Sequence, residues 1–187
     1  MMRLLLASFA LLALAACQKA SEPAANRSAA APPMVVKAAD YSHKGAAAPT
    51  ATFSDASGKQ TSLKAFAGKP TLVNLWASWC APCVKELPTL DKVARARASE
   101  LNVVAISQDT GPHASVEAFL KAHSITTLSA YQDPKMALSG ALDAQVLPTS
   151  ILFDASGKEI WRYVGDQDWT TPEATRLIDE AAAQKRP

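Results

Sequence analysis

The segment that most constrains this chain is the run Thr71-Leu72-Val73-Asn74-Leu75-Trp76, which passes almost directly into Trp79-Cys80-Ala81-Pro82-Cys83. A short, largely apolar run entered through Gly68-Lys69-Pro70 reads as a strand buried on both faces. Beyond Cys80, the residues Val84, Leu87, Leu90, Val93 and Ala94 recur at helical spacing, so the two cysteines open a helix. Pro88 lies inside that helix and is expected to kink it, because it removes a backbone donor and crowds the preceding turn. Val103-Val104-Ala105-Ile106-Ser107 is a second buried strand, and its simplest parallel partner is Thr71–Trp76 across the helix.

The same alternation extends in both directions. Ala51-Thr52-Phe53 and Gln60-Thr61-Ser62-Leu63 flank Asp55-Ala56-Ser57-Gly58-Lys59, an N-terminal β-hairpin signal. Val116, Phe119 and Leu120 mark a helix capped near Ser115. A weak strand near Leu128–Gln132 and a short helix near Lys135–Leu142 follow. Ser150–Phe153 and Ile160–Tyr163 form a second hairpin around a repeat of the Asp-Ala-Ser-Gly-Lys turn, which generic turn chemistry explains without a duplication. Thr171-Pro172-Glu173 opens a last helix with a cap, a first-turn proline and a first-turn acid. The expected architecture is α/β, a mixed central sheet flanked by helices.

Met1-Met2-Arg3 followed by the apolar Leu4–Leu14 reads as an export signal over residues 1–16. Leu14-Ala15-Ala16-Cys17 resembles a bacterial lipobox, which implies a lipidated Cys17 as the mature N-terminus; the plainer alternative is an ordinary signal peptide with Cys17 incidental. Residues 17–48 are rich in Ala, Pro and Ser without an apolar period, and read as a disordered tether with a reach of about 30 Å. The globular domain is expected over residues 49–187.

The 187 residues carry a net charge of +2, with lysines and arginines scattered rather than gathered in a stripe, so no nucleic-acid partner is expected. Of three cysteines, only Cys80 and Cys83 fall in the domain, too few for a disulfide framework or a four-ligand zinc site without histidine help. His43, His113 and His123 lack ligand-spaced partners and read as surface residues, so no metal is expected. At a helix N-terminus, free N–H groups and the positive dipole end stabilise a thiolate. Two sulfurs three residues apart on a first turn can close a disulfide, so this pair can take up or release two electrons with no further cofactor. Cys80, at the helix tip, is the expected nucleophile. Cys83, one turn in and more buried, is expected to resolve the mixed disulfide.

The segments Val73-Asn74-Leu75-Trp76-Ala77-Ser78-Trp79-Cys80-Ala81-Pro82-Cys83, Glu86-Leu87-Pro88 and Val146-Leu147-Pro148-Thr149-Ser150 resemble the thioredoxin superfamily. Within it they resemble the membrane-attached TlpA/ResA-type thiol–disulfide oxidoreductases, over nearly the whole domain. The resemblance implies a cis Leu147–Pro148 bond against the two sulfurs. It also implies client contact through Leu147, Pro148, Trp79 and Pro82. An acid at position 86 assists proton movement in this branch; a plain exposed helix glutamate is the other reading of Glu86. Asn74 stands where ordinary thioredoxins place a buried aspartate, which removes a proton acceptor beneath Cys83 and gives Glu86 more to do. Trp76 reads as core, and Trp79 as a surface wall beside the cysteines.

What the resemblance implies is a lipid-anchored protein on the periplasmic side of a bacterial membrane, reducing disulfides of exported proteins. Its clients would be apocytochrome c or the copper-site cysteines of cytochrome oxidase assembly, and a membrane thiol–disulfide transporter would recharge it. Two alternatives share the residues: a disulfide-forming oxidant of the same fold, and a non-enzymatic copper chaperone using Cys80 and Cys83.

Overall fold

The computed structural model describes residues 38–183, with side chains described to Ala181. The export signal, Cys17 and the tether up to residue 37 lie outside the described residues. Seven strands form one sheet: β1 (Thr52–Ser54), β2 (Gln60–Ser62), β3 (Thr71–Trp76), β4 (Asn102–Ser107), β5 (Tyr131–Gln132), β6 (Thr149–Phe153) and β7 (Glu159–Val164). Their order is β2-β1-β5-β4-β3-β6-β7. β3 pairs parallel with β4 and antiparallel with β6, so the sheet is mixed as expected. Among the described residues four α-helices and a 3-10 turn at Leu63–Phe66 accompany it: α1 (Ala81–Ala96), α2 (His113–Ala122), α3 (Ala137–Ala141) and α4 (Pro172–Ala183).

β3 is buried along its full length, and its alternating side chains feed two different cores. Leu72 and Trp76 join Leu87 and Leu90 of α1, Val116 and Leu120 of α2, and Ala174 and Ile178 of α4. Val73 and Leu75 join Phe53, Ile106, Ile151 and Leu138 of α3 on the other face. The period of two places Asn74 on the same face as Leu72 and Trp76, and therefore under α1.

Helix α1 runs unbroken through Pro88, whose ring faces solvent. Its far half is tied down by Asp91. Asp91 Oδ1 accepts backbone N–H bonds from Thr126, Thr127 and Leu128 at 3.2, 2.6 and 3.0 Å, and Oδ2 accepts from Arg95 at 3.2 Å. The α4 cap is as expected, with Thr171 Oγ1 accepting from Ala174 N at 3.2 Å.

One expected boundary moves. Residues 38–48 do not all belong to a tether: Asp40 bridges Arg162 of β7 and Ala47 bridges Lys158 just before it, both antiparallel. Backbone bonds reinforce this strap, from Asp40 N to Arg162 O at 2.7 Å and from Gly45 N to Glu159 O at 2.8 Å. The segment has alanines and Tyr41 but no large aliphatic side chain, and sheet-edge hydrogen bonds hold it where no hydrophobic period announces a strand. α2 likewise begins at His113, behind Pro112, two residues before the expected Ser115 cap.

Candidate active site

Cys80 is the N-cap of α1, with extended backbone angles of φ −90° and ψ 95°, and Pro82 occupies the first turn. Cys80 and Cys83 are joined by a disulfide of 2.05 Å, and Cys83 N donates to Cys80 Sγ at 3.3 Å. That N–H is one of the groups a helix start leaves unpaired, so the same donor is available to a thiolate at Cys80 once the bond opens. In the oxidised pair Cys80 retains 6% exposure and Cys83 none. The first cysteine is thus more covered than the sequence suggested, but it alone offers a sulfur to a partner.

The turn ahead of Cys80 is held by a residue that the sequence analysis did not single out. Asp109, just past β4, accepts from Ser78 N at 3.0 Å, from Ser78 Oγ at 2.8 Å and from Ser107 Oγ at 2.7 Å. The parallel β3–β4 register, with Trp76 opposite Ser107, brings Asp109 to this turn, and no signal in the sequence marks it. With Ser78 pinned, Trp79 stands 69% exposed beside the disulfide while Trp76 is fully buried, as expected for both. Trp79, Phe119 and Pro112 line a shallow cleft of about 330 Å³ next to it.

The Leu147–Pro148 peptide bond is cis, as the resemblance implied. Pro148 directly precedes Thr149, which pairs with Leu75 near the end of β3, so the proline loop sits beside the strand that leads to Cys80. Leu147 packs against the core cluster that contains both cysteines. Val146, two residues before the cis-proline, is half exposed, and Pro82, between the two cysteines, is exposed.

Glu86 is buried, at 2% exposure, and is not the plain exposed helix glutamate of the second reading. It lies one turn beyond Cys83 and one turn before Leu90, so helical spacing places it on the buried face of α1. Its carboxylate accepts from Asn74 Nδ2 at 2.6 Å, Gln167 N at 3.1 Å and Trp169 Nε1 at 3.4 Å. Asn74 Nδ2 also donates to Ser150 Oγ at 2.9 Å, across the β3–β6 pair. Trp169 is itself fixed by stacking on Trp161 and by the edge of Tyr163. Loss of water outweighs these donors and pushes the Glu86 carboxyl up to about 7, with the nearby Asp166 charge acting in the same direction. Glu86 thus lies one turn from Cys83 on α1 with its proton affinity raised toward neutrality, the range in which a carboxyl can exchange a proton. Among the described residues, no three His, Cys, Asp or Glu side chains gather as a metal site would require.

With a Cys-x-x-Cys disulfide at a helix tip, a cis-proline loop beside it and a mixed sheet with helices on both faces, the fold and site are those of a thioredoxin-fold thiol–disulfide oxidoreductase. Comparison with known proteins supports that class. The chain is 30% identical to the thiol-disulfide oxidoreductase ResA of Bacillus cereus over 124 residues, 66% of this chain and 70% of that protein. A putative thiol:disulfide interchange protein DsbE from Chlorobium tepidum superposes with a TM-score of 0.62 at 25% identity, covering 75% of this chain and 96% of that one. A putative thioredoxin from Neisseria meningitidis gives 0.62 at 31% identity, covering 74% and 91%. Residues 43–178 match the Redoxin family model, and the chain belongs to that family.

Proposed function

We propose that this protein is a membrane-tethered reductant of disulfides in exported proteins, anchored through a lipidated Cys17 on the periplasmic side of a bacterial membrane. The observation that carries the reductive chemistry is the Cys80–Cys83 pair at the α1 N-terminus, with only Cys80 reachable and a buried acid of raised proton affinity behind Cys83. The export signal and lipobox-like Leu14-Ala15-Ala16-Cys17 support the location. An oxidising compartment is where a dedicated reductant is needed. The clients are exported proteins with disulfides, of the cytochrome c maturation or oxidase copper-site type, and the electron donor is a membrane thiol–disulfide transporter.

In the reaction, the Cys80 thiolate attacks a client disulfide, forming a Cys80–client bond and expelling one client sulfur as thiolate. Glu86, ionised, takes the Cys83 proton. The Cys83 thiolate then attacks Cys80 Sγ, closing the internal disulfide and releasing the second client sulfur, and both client thiolates take protons from water. Trp79, Pro82, Leu147 and Pro148 hold the client segment over Cys80.

Equilibration with a glutathione or dithiothreitol buffer tests the direction. The Cys80–Cys83 couple is expected to lie near the thioredoxin value of about −270 mV. A value near the about −120 mV of a strong periplasmic oxidant would assign the disulfide-forming role instead.

A further inference from the structure

A client covering Trp79, Cys80 and Pro148 also covers the front of the site, yet Glu86 must still lose the proton it takes from Cys83. A second cleft, of about 170 Å³, lies on the other flank of α1, between that helix and the loop from β7 to α4. Its lining includes Lys85, Glu86, Thr89, Asp166 and Gln167, and shares no residue with the cleft beside Trp79. Exposure falls steeply across it, from 82% for the Lys85 side chain and 29% for Asp166 to 2% for Glu86. Glu86 is thus the floor, and the Lys85–Asp166 pair, 4.0 Å apart, is the rim. So long and exposed an ion pair is weakly held and opens readily.

We propose that Glu86 exchanges its proton with solvent through this side cleft, with Lys85 and Asp166 as positioning residues at its mouth. The proposal rests on Glu86 serving as the proton carrier for Cys83. After the Cys83 proton moves to a Glu86 oxygen and the internal disulfide forms, the carboxylic acid returns that proton to water between α1 and Gln167. The client need not leave first. The charged and titratable groups facing Glu86 are Lys85 and Cys83 on its own helix and Asp166 and Asp168 on the loop; Asn74 and Ser150 from the sheet are neutral. Asp166 already opposes ionisation of Glu86.

The test uses the full chain with Cys83→Ser, which holds a disulfide-linked peptide on Cys80 and carries no Cys83 thiol to titrate. Infrared absorption of the buried carboxyl is followed after a pH jump, and the band is assigned by its loss in Glu86→Gln. With the peptide in place, the band is expected to equilibrate as fast as without it. Asp166→Asn should lower its midpoint by about half a pH unit, and Lys85→Glu should raise it by a similar amount. Slowing of tenfold or more by the peptide, or a midpoint indifferent to both substitutions, overturns the side route while leaving Glu86 as proton carrier. A Glu86 band that does not titrate between pH 5 and 9 removes the carrier, and the route with it.

Discussion

Cys80→Ser is expected to reduce insulin-disulfide turnover to the uncatalysed dithiothreitol background, whereas Cys83→Ser is expected to accumulate covalent adducts with its substrates. The two outcomes differ because the two sulfurs differ in reach. Cys80 caps α1 and receives the Cys83 N–H at 3.3 Å, so its thiolate is the stabilised and accessible one. A serine hydroxyl there has no comparable acidity and cannot attack a disulfide at neutral pH. Cys83 has no exposure and can act only on a sulfur already bonded at Cys80. Without it the first step still proceeds and the second does not. Non-reducing electrophoresis and mass spectrometry of the adduct check this: turnover retained by Cys80→Ser, or adducts formed on Cys83, would reverse the assignment.

Glu86→Gln is expected to stabilise the fold by about 3 kcal/mol at pH 8.5 and to leave it nearly unchanged at pH 4. In the folded chain the carboxyl is raised from an ordinary 4.5 to about 7 by burial, opposed only partly by its three donors. Below pH 4.5 it is protonated in both folded and unfolded chains and carries no penalty. Between about 4.5 and 7 the unfolded chain ionises first, so stability declines as pH rises; above 7 the decline is complete. Glutamine has no such transition. Asn74 can accommodate it, because Asn74 Oδ1 is buried without a partner and can accept from the new amide after the Asn74 side chain turns over. Urea midpoints at the two pH values, with the disulfide intact, measure the difference. A constant difference across pH would mean that Glu86 does not change ionisation on unfolding. The same acid that poises the site near neutrality therefore weakens the fold there, a compromise expected where a buried charge serves chemistry rather than packing.

Much of the fold was legible because its central unit is strongly patterned. β3 is apolar at nearly every position, α1 carries a clean stripe, and Thr171-Pro172-Glu173 starts α4 where the cap geometry shows it. The cysteine pair and Pro148 were legible for the same reason: each is a residue type that strand–helix and strand-start positions do not use without cause. Three features were not. The strap over residues 40–47 is built from backbone bonds to β7, and Asp40, Ser42, His43 and Lys44 give it no apolar signature. Asp109 was missed because its partners are a backbone N–H and two serines, which only the β3–β4 register brings together. The burial of Glu86 was left open because a charged side chain on a helix is usually solvated. Only Asn74, Gln167 and Trp169, drawn from β3 and from the loop before α4, make its position tenable.

The chemistry depends on the reduced protein presenting one activated sulfur. The most direct measurement is the pH dependence of iodoacetamide alkylation of the reduced chain, with the labelled residue read by mass spectrometry. Modification is expected at Cys80, with a midpoint well below the about 8.5 of a free thiol. A midpoint at or above that value, or label appearing first on Cys83, would contradict the account.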